Sequence, residues 1–137
     1  MTTRVGSFGA PFSNESKYLF TEYDFASDTG ATGDYALTAA AENDLMVRLV
    51  AVKTETAPTS GGAALLTLES DATADAFLNS EPIASFTAGG VFIPENATTG
   101  GTEGFVKVAE TKKLQFSIEA AALTAGKMTM VWEVMEY

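Results

Sequence analysis

The chain contains no cysteine and no histidine among its 137 residues. Without cysteine it can form neither a disulfide bond nor a thiolate nucleophile, and its redox compartment stays undecided. Without histidine it lacks the imidazole on which many hydrolytic mechanisms depend, and the usual ligands of a zinc site are missing as well. The composition argues against an enzyme, and we expect no catalytic residue, no bound metal and no cofactor.

Basic residues are also scarce. The chain has 8 lysine and arginine residues against 18 aspartate and glutamate residues, which gives a net charge of −10 and a pI near 4.2. A protein that neutralises phosphate groups needs a basic surface, so we expect no nucleic-acid partner. An anionic membrane surface is disfavoured for the same reason.

Long apolar segments are missing too. No uncharged apolar run approaches the roughly 20 residues that a membrane helix requires. Residues 1–4 are followed by glycine, serine, proline and asparagine and not by the apolar stretch of a signal peptide. We therefore expect a protein that is made in a cytoplasm and has no membrane partner.

What the sequence does contain is the alternation of buried β-strands. In the C-terminal stretch, apolar side chains recur at every second position of two segments, 112–119 and 127–137. They are Leu114, Phe116 and Ile118 in the first segment, and Met128, Met130, Trp132 and Val134 in the second. We interpret the two segments as a β-hairpin joined by a turn at 120–126, and we expect this hairpin to form the centre of the core.

Further strand-like segments follow one another at intervals of about 8–12 residues, with turn signals between them. The strongest is 45–54, followed by a predicted loop at 55–62, and one short helix is predicted within 71–79, capped by Ser70 or Asp71. About eight short strands with at most one short helix indicate an all-β fold, either an antiparallel β-sandwich or a jelly-roll-like barrel. We expect a single domain over residues 17–137.

Residues 1–16 are predicted to form an extended N-terminal arm, because glycine and proline interrupt any regular element there. Two interpretations stay open: a terminus laid over its own domain, or an arm that reaches a neighbouring subunit. The strand that follows carries aromatic residues on both faces, as strands covered on both sides often do. The candidate partner-binding residues are Arg4, Val5, Phe8, Phe12, Tyr18 and Phe20.

Two other kinds of site are weaker candidates. A carboxylate cluster at Glu69, Asp71, Asp75 and Glu81 could attract Ca²⁺, but its spacing does not match a calcium loop, and we interpret it as a solvated acidic turn with a helix cap. Aromatic residues could also line a sugar-binding platform, although ordinary packing explains them better. They are Phe12, Tyr18, Phe20, Tyr23, Tyr35 and Trp132.

Several turn and strand motifs of the sequence form a recognisable set. They are Asp24-Phe25-Ala26, Thr32–Thr38, Ala57–Ala64, Ser70-Asp71, Asp75–Leu78, Ile83–Gly89 and Ala121–Lys127. These motifs resemble those of small structural proteins of tailed bacteriophages, the head decoration or cement proteins. The resemblance covers roughly residues 20–137, contains no catalytic signature and does not include the arm.

The resemblance implies a non-enzymatic protein on the outer capsid surface of a virion, a homotrimer that clamps neighbouring subunits of the major capsid protein. It implies no small-molecule substrate, and production in the cytoplasm of a bacterial host. Two alternatives stay open. One is another virion component, such as a head fibre base, a tail protein or a head–tail connector protein; the other is a carbohydrate-binding module on the particle surface.

Overall fold

A computed structural model describes residues 16–137, which fold into two antiparallel β-sheets packed face to face. This arrangement confirms the predicted all-β sandwich. Its nine strands are β1 (Lys17–Asp24), β2 (Gly33–Ala36), β3 (Leu45–Ser60), β4 (Leu65–Ser70), β5 (Leu78–Pro82), β6 (Val91–Phe92), β7 (Val106–Val108), β8 (Leu114–Glu119) and β9 (Leu123–Glu136).

Helical structure is minor within the described residues. There is one α-helix, α1 (Phe25–Asp28), and there are two 3₁₀ turns, at Ile83–Ser85 and Pro94–Asn96. No helix within this part of the chain has the length and apolar character needed to cross a bilayer.

Sheet I has the strand order β1-β9-β3-β6, with β7 pairing the other end of β3. Sheet II has the order β2-β8-β4-β5. Neighbouring strands in both sheets run antiparallel. The two longest strands, β3 with 16 residues and β9 with 14, pair with each other in the middle of sheet I.

The core lies between the sheets and is formed by the alternating side chains that the sequence predicted for β9. Met128, Met130, Trp132 and Val134 are all at most 1% exposed. The Trp132 indole packs edge-on against Phe77, with ring centroids 5.0 Å apart, and its Nε1–H donates to the Thr21 hydroxyl at 2.9 Å. The one polar atom of this large side chain is thereby paired, as burial requires.

The predicted C-terminal hairpin is wrong. Strand β8 pairs with β2 and β4 in sheet II, whereas β9 pairs with β1 and β3 in sheet I. The three residues between them carry the chain from one sheet to the other, with Ala120 in the left-handed region at φ 71°. Each strand has one apolar face, and in a sandwich two such faces can meet across the core instead of lying side by side.

The ends of the two long strands also differ from the prediction. Residues 55–60 continue β3, and 123–126 begin β9, where a loop and a turn were expected. These extensions pair with each other through several register shifts, and Gly126 has φ 146°. A Cβ at position 126 would lie 3.2 Å from the Pro58 Cα, so this glycine permits a close backbone approach within a strand.

The helix predicted within 71–79 does not form. The Ser70 hydroxyl accepts from the backbone N–H groups of Ala72 and Thr73, at 3.3 and 3.0 Å, as a helix cap would. The chain then turns through Asp75 at φ 58°, which no right-handed helix allows. The α-helix lies instead at Phe25–Asp28, where the carboxylate of Asp24 accepts from the N–H of Ala26 at 3.0 Å.

Tyr23 joins the two sheets at the end of β1. Its ring stacks on Phe116 of sheet II with centroids 4.6 Å apart, and its hydroxyl donates to the Thr29 carbonyl at 2.5 Å. Burial first, and then the nearby Tyr35, Asp28 and Asp24, raise the pKa of Tyr23 well above its ordinary value of 10.0. The fold therefore favours the neutral phenol.

This raised pKa predicts a loss of stability in alkali. The contribution of Tyr23 is fully present below the unfolded-state pKa of about 10 and is lost as the pH rises from there toward the folded-state pKa. Tyr23→Phe should cost about 1 kcal/mol at pH 7, because the hydrogen bond to Thr29 is removed. Above pH 10 the gap between the two proteins should close. Denaturant unfolding from pH 7 to 11 measures this, and an unchanged gap over that range would contradict the account.

Candidate binding surface

Three of the described exposed apolar residues project from one surface, the outer face of sheet I. They are Tyr18 and Phe20 on β1, which are 63% and 50% exposed, and Val91 on β6, which is 61% exposed. Their neighbours Leu19 and Tyr23 on β1 and Phe92 on β6 point the other way and are buried. Strand alternation thus separates a core face from an apolar face that no described residue covers.

The strand register extends this surface across the sheet in rows. Phe20 lies opposite Val131, and Val131 lies opposite Ala51. At one end of the sheet Met46 lies opposite Met135. Apart from Phe20, these residues are half-buried. The outer face of sheet I therefore carries apolar side chains on all three of the strands β1, β9 and β3.

An ion pair stands in the middle of this surface. The Arg48 Nη2 and Nε atoms donate to one carboxylate oxygen of Glu133 at 2.6 and 3.1 Å, in the row that also contains Tyr18. The Arg48 guanidinium, followed by the Ser16 hydroxyl, holds the pKa of Glu133 below its ordinary value of 4.5. Arg48 also lies over the ring of Phe105, with its Cζ 5.7 Å from the ring centroid. Both charges are thus tied to neighbours within the surface.

The strand positions on this outer face carry no net charge. Four basic side chains, Arg48, Lys53, Lys107 and Lys127, alternate outward there, and so do four acidic ones, Glu22, Asp24, Glu55 and Glu133. The remaining 4 of the 8 basic and 14 of the 18 acidic residues account for the whole net charge of −10. The outer face of sheet I thus combines exposed apolar side chains with balanced charges on an otherwise acidic molecule, and its Tyr, Phe, Met and Arg side chains are of the types enriched in interfaces.

Of the predicted partner-binding residues, Tyr18 and Phe20 lie on this face, two positions apart on the same strand. Arg4, Val5, Phe8 and Phe12 lie outside the described residues, as does all of the predicted arm except Ser16. The interpretation that β1 is covered on both faces stays a prediction: its inward face is buried in the core, and no described residue covers Tyr18 and Phe20 on the other face.

Sequence reasoning missed the rest of the face. In the sequence, the outward positions of β9 and β3 alternate with the apolar core positions and look polar. Val131 and Met135 stand at these outward positions among charged residues, so they did not mark an apolar surface. Their joining into one apolar surface with Met46 and Val91 depends on which strands pair. That information is in the topology and not in the local pattern.

The predicted carboxylate cluster does not assemble. Within residues 16–137 no group of three or more acidic side chains is arranged to hold a metal ion. Glu81 is fully buried and not solvated, and it accepts hydrogen bonds from the Ser85 hydroxyl at 2.5 Å and from the Thr98 N–H at 2.9 Å. Glu69 instead accepts from the Asp75 N–H at 3.0 Å. These carboxylates tie loops to the sheets.

The predicted sugar platform does not assemble either. Trp132 and Tyr23 are 0% and 1% exposed and belong to the core between the sheets. Tyr35 packs edge-on against Tyr23 with centroids 5.9 Å apart, on the inner side of sheet II. Of the described members of the set, only Tyr18 and Phe20 present an open ring to a ligand.

Comparisons of the chain with protein-family models, with curated proteins and with solved structures find no match. The outer face of sheet I therefore carries the functional argument by its own geometry and chemistry.

The exposure of Tyr18 and Phe20 predicts that neither contributes much to the stability of the isolated protein. Tyr18→Ser and Phe20→Ser should each change the free energy of unfolding by less than about 1 kcal/mol, because their rings remain largely in water in both states. Leu19→Ala, the matched core substitution between them, should cost about 2–5 kcal/mol. Denaturant titration of dilute protein measures all three.

A loss at Tyr18 or Phe20 as large as that at Leu19 would show that something in the same molecule covers the two rings. The interpretation of the arm as a terminus laid over its own domain would then hold.

Proposed function

We propose that this chain is a non-enzymatic structural protein of a tailed-phage particle, which sits on the outer capsid surface and stabilises the head by bridging subunits of the major capsid protein. The observation that carries the proposal is the outer face of sheet I, which exposes aromatic side chains and carries no net charge on a molecule whose charge is −10. Its tyrosine, phenylalanine, methionine and arginine side chains are residue types that are enriched in protein–protein interfaces. The decoration proteins that the sequence resembles act by this kind of contact.

A partner that covers this face gains binding free energy by burying its exposed apolar side chains. Burying an aromatic or large aliphatic side chain contributes on the order of 1.5–3 kcal/mol, and Tyr18, Phe20 and Val91 all remain available for burial. The Arg48–Glu133 pair is already closed, so a partner need not supply its own countercharge. A protein that binds the assembled shell and not its free subunits stabilises the shell by mass action.

In the same proposal, residues 1–15 form an arm that contacts the capsid. They join the domain at Ser16, whose hydroxyl helps to lower the pKa of Glu133 on the outer face of sheet I. Fifteen residues can extend up to about 50 Å, enough to reach a second capsid subunit. We assign Arg4, Val5, Phe8 and Phe12 to this longer-range contact and Tyr18 and Phe20 to the contact made by the domain itself.

The acidic remainder of the surface fits the outward side of a decorating protein. Thirteen of the described acidic residues lie off the strand positions of the outer face, and all of them except the buried Glu81 reach the surface. Like charge there keeps neighbouring decorations from associating indiscriminately.

Removing residues 1–16 tests the proposal. The truncated protein should unfold at a temperature close to that of the full-length protein, because no described core residue is lost. It should nevertheless no longer sediment with phage heads. The heads are those of the phage that encodes this chain, assembled without it. Circular dichroism and a pelleting assay with full-length protein alongside provide the measurements.

Glu42→Ser is the matched control, since Glu42 is exposed and lies on a loop away from the outer face of sheet I. It should bind heads as the unaltered protein does. Undiminished binding by the truncated protein would refute the assignment of the arm, and failure of the full-length protein to bind would refute the proposed function.

A further inference from the structure

Strand β1 ends sheet I with an open edge. It pairs with β9 on one side, and no described strand pairs with the other side. The N–H of Asp24 donates to the Asp28 carboxylate at 2.9 Å, so it points away from β9. Alternate residues of an antiparallel strand direct their N–H and C=O groups to the same side. Tyr18, Phe20 and Glu22 therefore direct theirs to the open edge.

Several of the usual protections of an edge strand are missing from this segment. Natural edges are blunted by bulges, proline, charged side chains or short length. The pairing of β1 with β9 runs over eight residues with no register shift. Its buried inward side chains, Leu19, Thr21 and Tyr23, are uncharged, while Lys17 shares their phase at the exposed first position, and β1 contains no proline. Two acidic side chains, Glu22 and Asp24, follow Phe20 on the outward face.

The other described edges are shorter or interrupted. Strand β6 has two residues, β7 three and β2 four. Strand β5 ends in Pro82, and its Leu78 is already bridged to Gly101. Strand β1 is therefore the one described edge that offers a straight, continuous row of backbone groups to another strand.

We propose that two copies of this chain pair through β1, edge to edge and antiparallel, to form one continuous sheet from two copies of sheet I. The partner is a second copy because the edge is complementary to itself. The proposed two-fold axis passes beside Leu19. Tyr18 of one copy then lies opposite Phe20 of the other, and Ser16 lies opposite Glu22.

This register follows from the backbone. Only an axis at Leu19 pairs the edge-directed set Ser16, Tyr18, Phe20 and Glu22 entirely with itself. Axes at Phe20 or Thr21 place one of these residues opposite Asp24, whose N–H is already bonded to Asp28. An axis at Tyr18 places Glu22 opposite residue 14, beyond the start of β1.

The side chains that this register places opposite each other are also compatible with an axis at Leu19. Tyr18 and Phe20 form two aromatic cross-strand pairs, and such pairs stabilise antiparallel strands. Glu22 meets Ser16 and Lys17 meets Thr21, so no like charges face each other. A two-fold axis perpendicular to the sheet keeps both outer faces on one side. The dimer would then present a doubled binding face, whether or not that face meets a capsid.

The inference departs from the homotrimer that the family resemblance implies. An isologous edge contact uses β1 of both copies and closes at two, because each copy has one such edge. It is also independent of the proposed function, since pairing in solution requires no phage particle.

Analytical ultracentrifugation of the full chain tests the pairing. We expect a species of twice the 14.3 kDa chain mass. Tyr18→Lys with Phe20→Lys sets lysines opposite each other across the axis and should give monomers. Thr129→Lys with Val131→Lys, which adds the same charge to the same face one strand away, should leave the dimer intact.

A single-cysteine experiment tests the register, and the chain has no cysteine of its own to interfere. Residues opposite in a hydrogen-bonded antiparallel pair have Cα atoms about 5.5 Å apart, within the range of a disulfide. A mixture of Tyr18→Cys and Phe20→Cys chains should therefore form mixed disulfide dimers under mild oxidation. Val131→Cys, one strand further from the axis, should remain reduced.

A monomer or a trimer of the unaltered protein, or equal cross-linking of Val131→Cys, would overturn the inference. Cross-linking of Phe20→Cys only with itself would overturn the register. None of these results would alter the expected binding to phage heads, so the two proposals fail separately.

Discussion

The pairing of β3 with β9 is the interaction on which the rest of this structure depends. These strands, of 16 and 14 residues, lie side by side in the middle of sheet I and receive β1 on one flank and β6 and β7 on the other. Their inward residues supply much of the core, with Trp132 fully buried against Phe77 and bonded to Thr21. Their outward residues form most of the candidate binding surface. The stability of the fold and its binding chemistry therefore arise from opposite sides of the same two strands.

That division has a physical consequence. A two-layer sandwich buries one face of each sheet, so the other face stays in water unless a partner covers it. On most antiparallel sheets the outward positions are polar. Here sheet I places Tyr18, Phe20, Val91 and Val131 outward and cancels the charges among them, and no described residue explains that choice. Contact with another protein does explain it, because an interface core tolerates apolar area and disfavours unpaired charge.

The sequence allowed the fold class and the core of β9 to be predicted, because both follow from local alternation. It did not allow the pairing of β8 and β9 to be predicted, since two amphipathic strands look the same whether they pair within a sheet or face each other across a core. Gly126 was misread as a turn because its close approach to Pro58 depends on a distant segment. The Ser70 hydroxyl accepts from the Thr73 N–H as an N-cap would, but no helix follows it, because the chain turns through the left-handed region at Asp75. For the site, Tyr18 and Phe20 were found from the strand pattern, whereas the surface that they join could be seen only once β9 and β3 were placed beside them.

Under the proposed function the molecule acts through buried contact area and not through reactive groups. The most direct test of the proposed function is an electron cryo-microscopy reconstruction of phage particles that are assembled with this chain. The account predicts density for the two-sheet domain on the outside of the head, with the outer face of sheet I covered by capsid protein and sheet II facing solvent. Density in which the outer face of sheet I lies open to solvent, or a head that lacks this domain altogether, would contradict it.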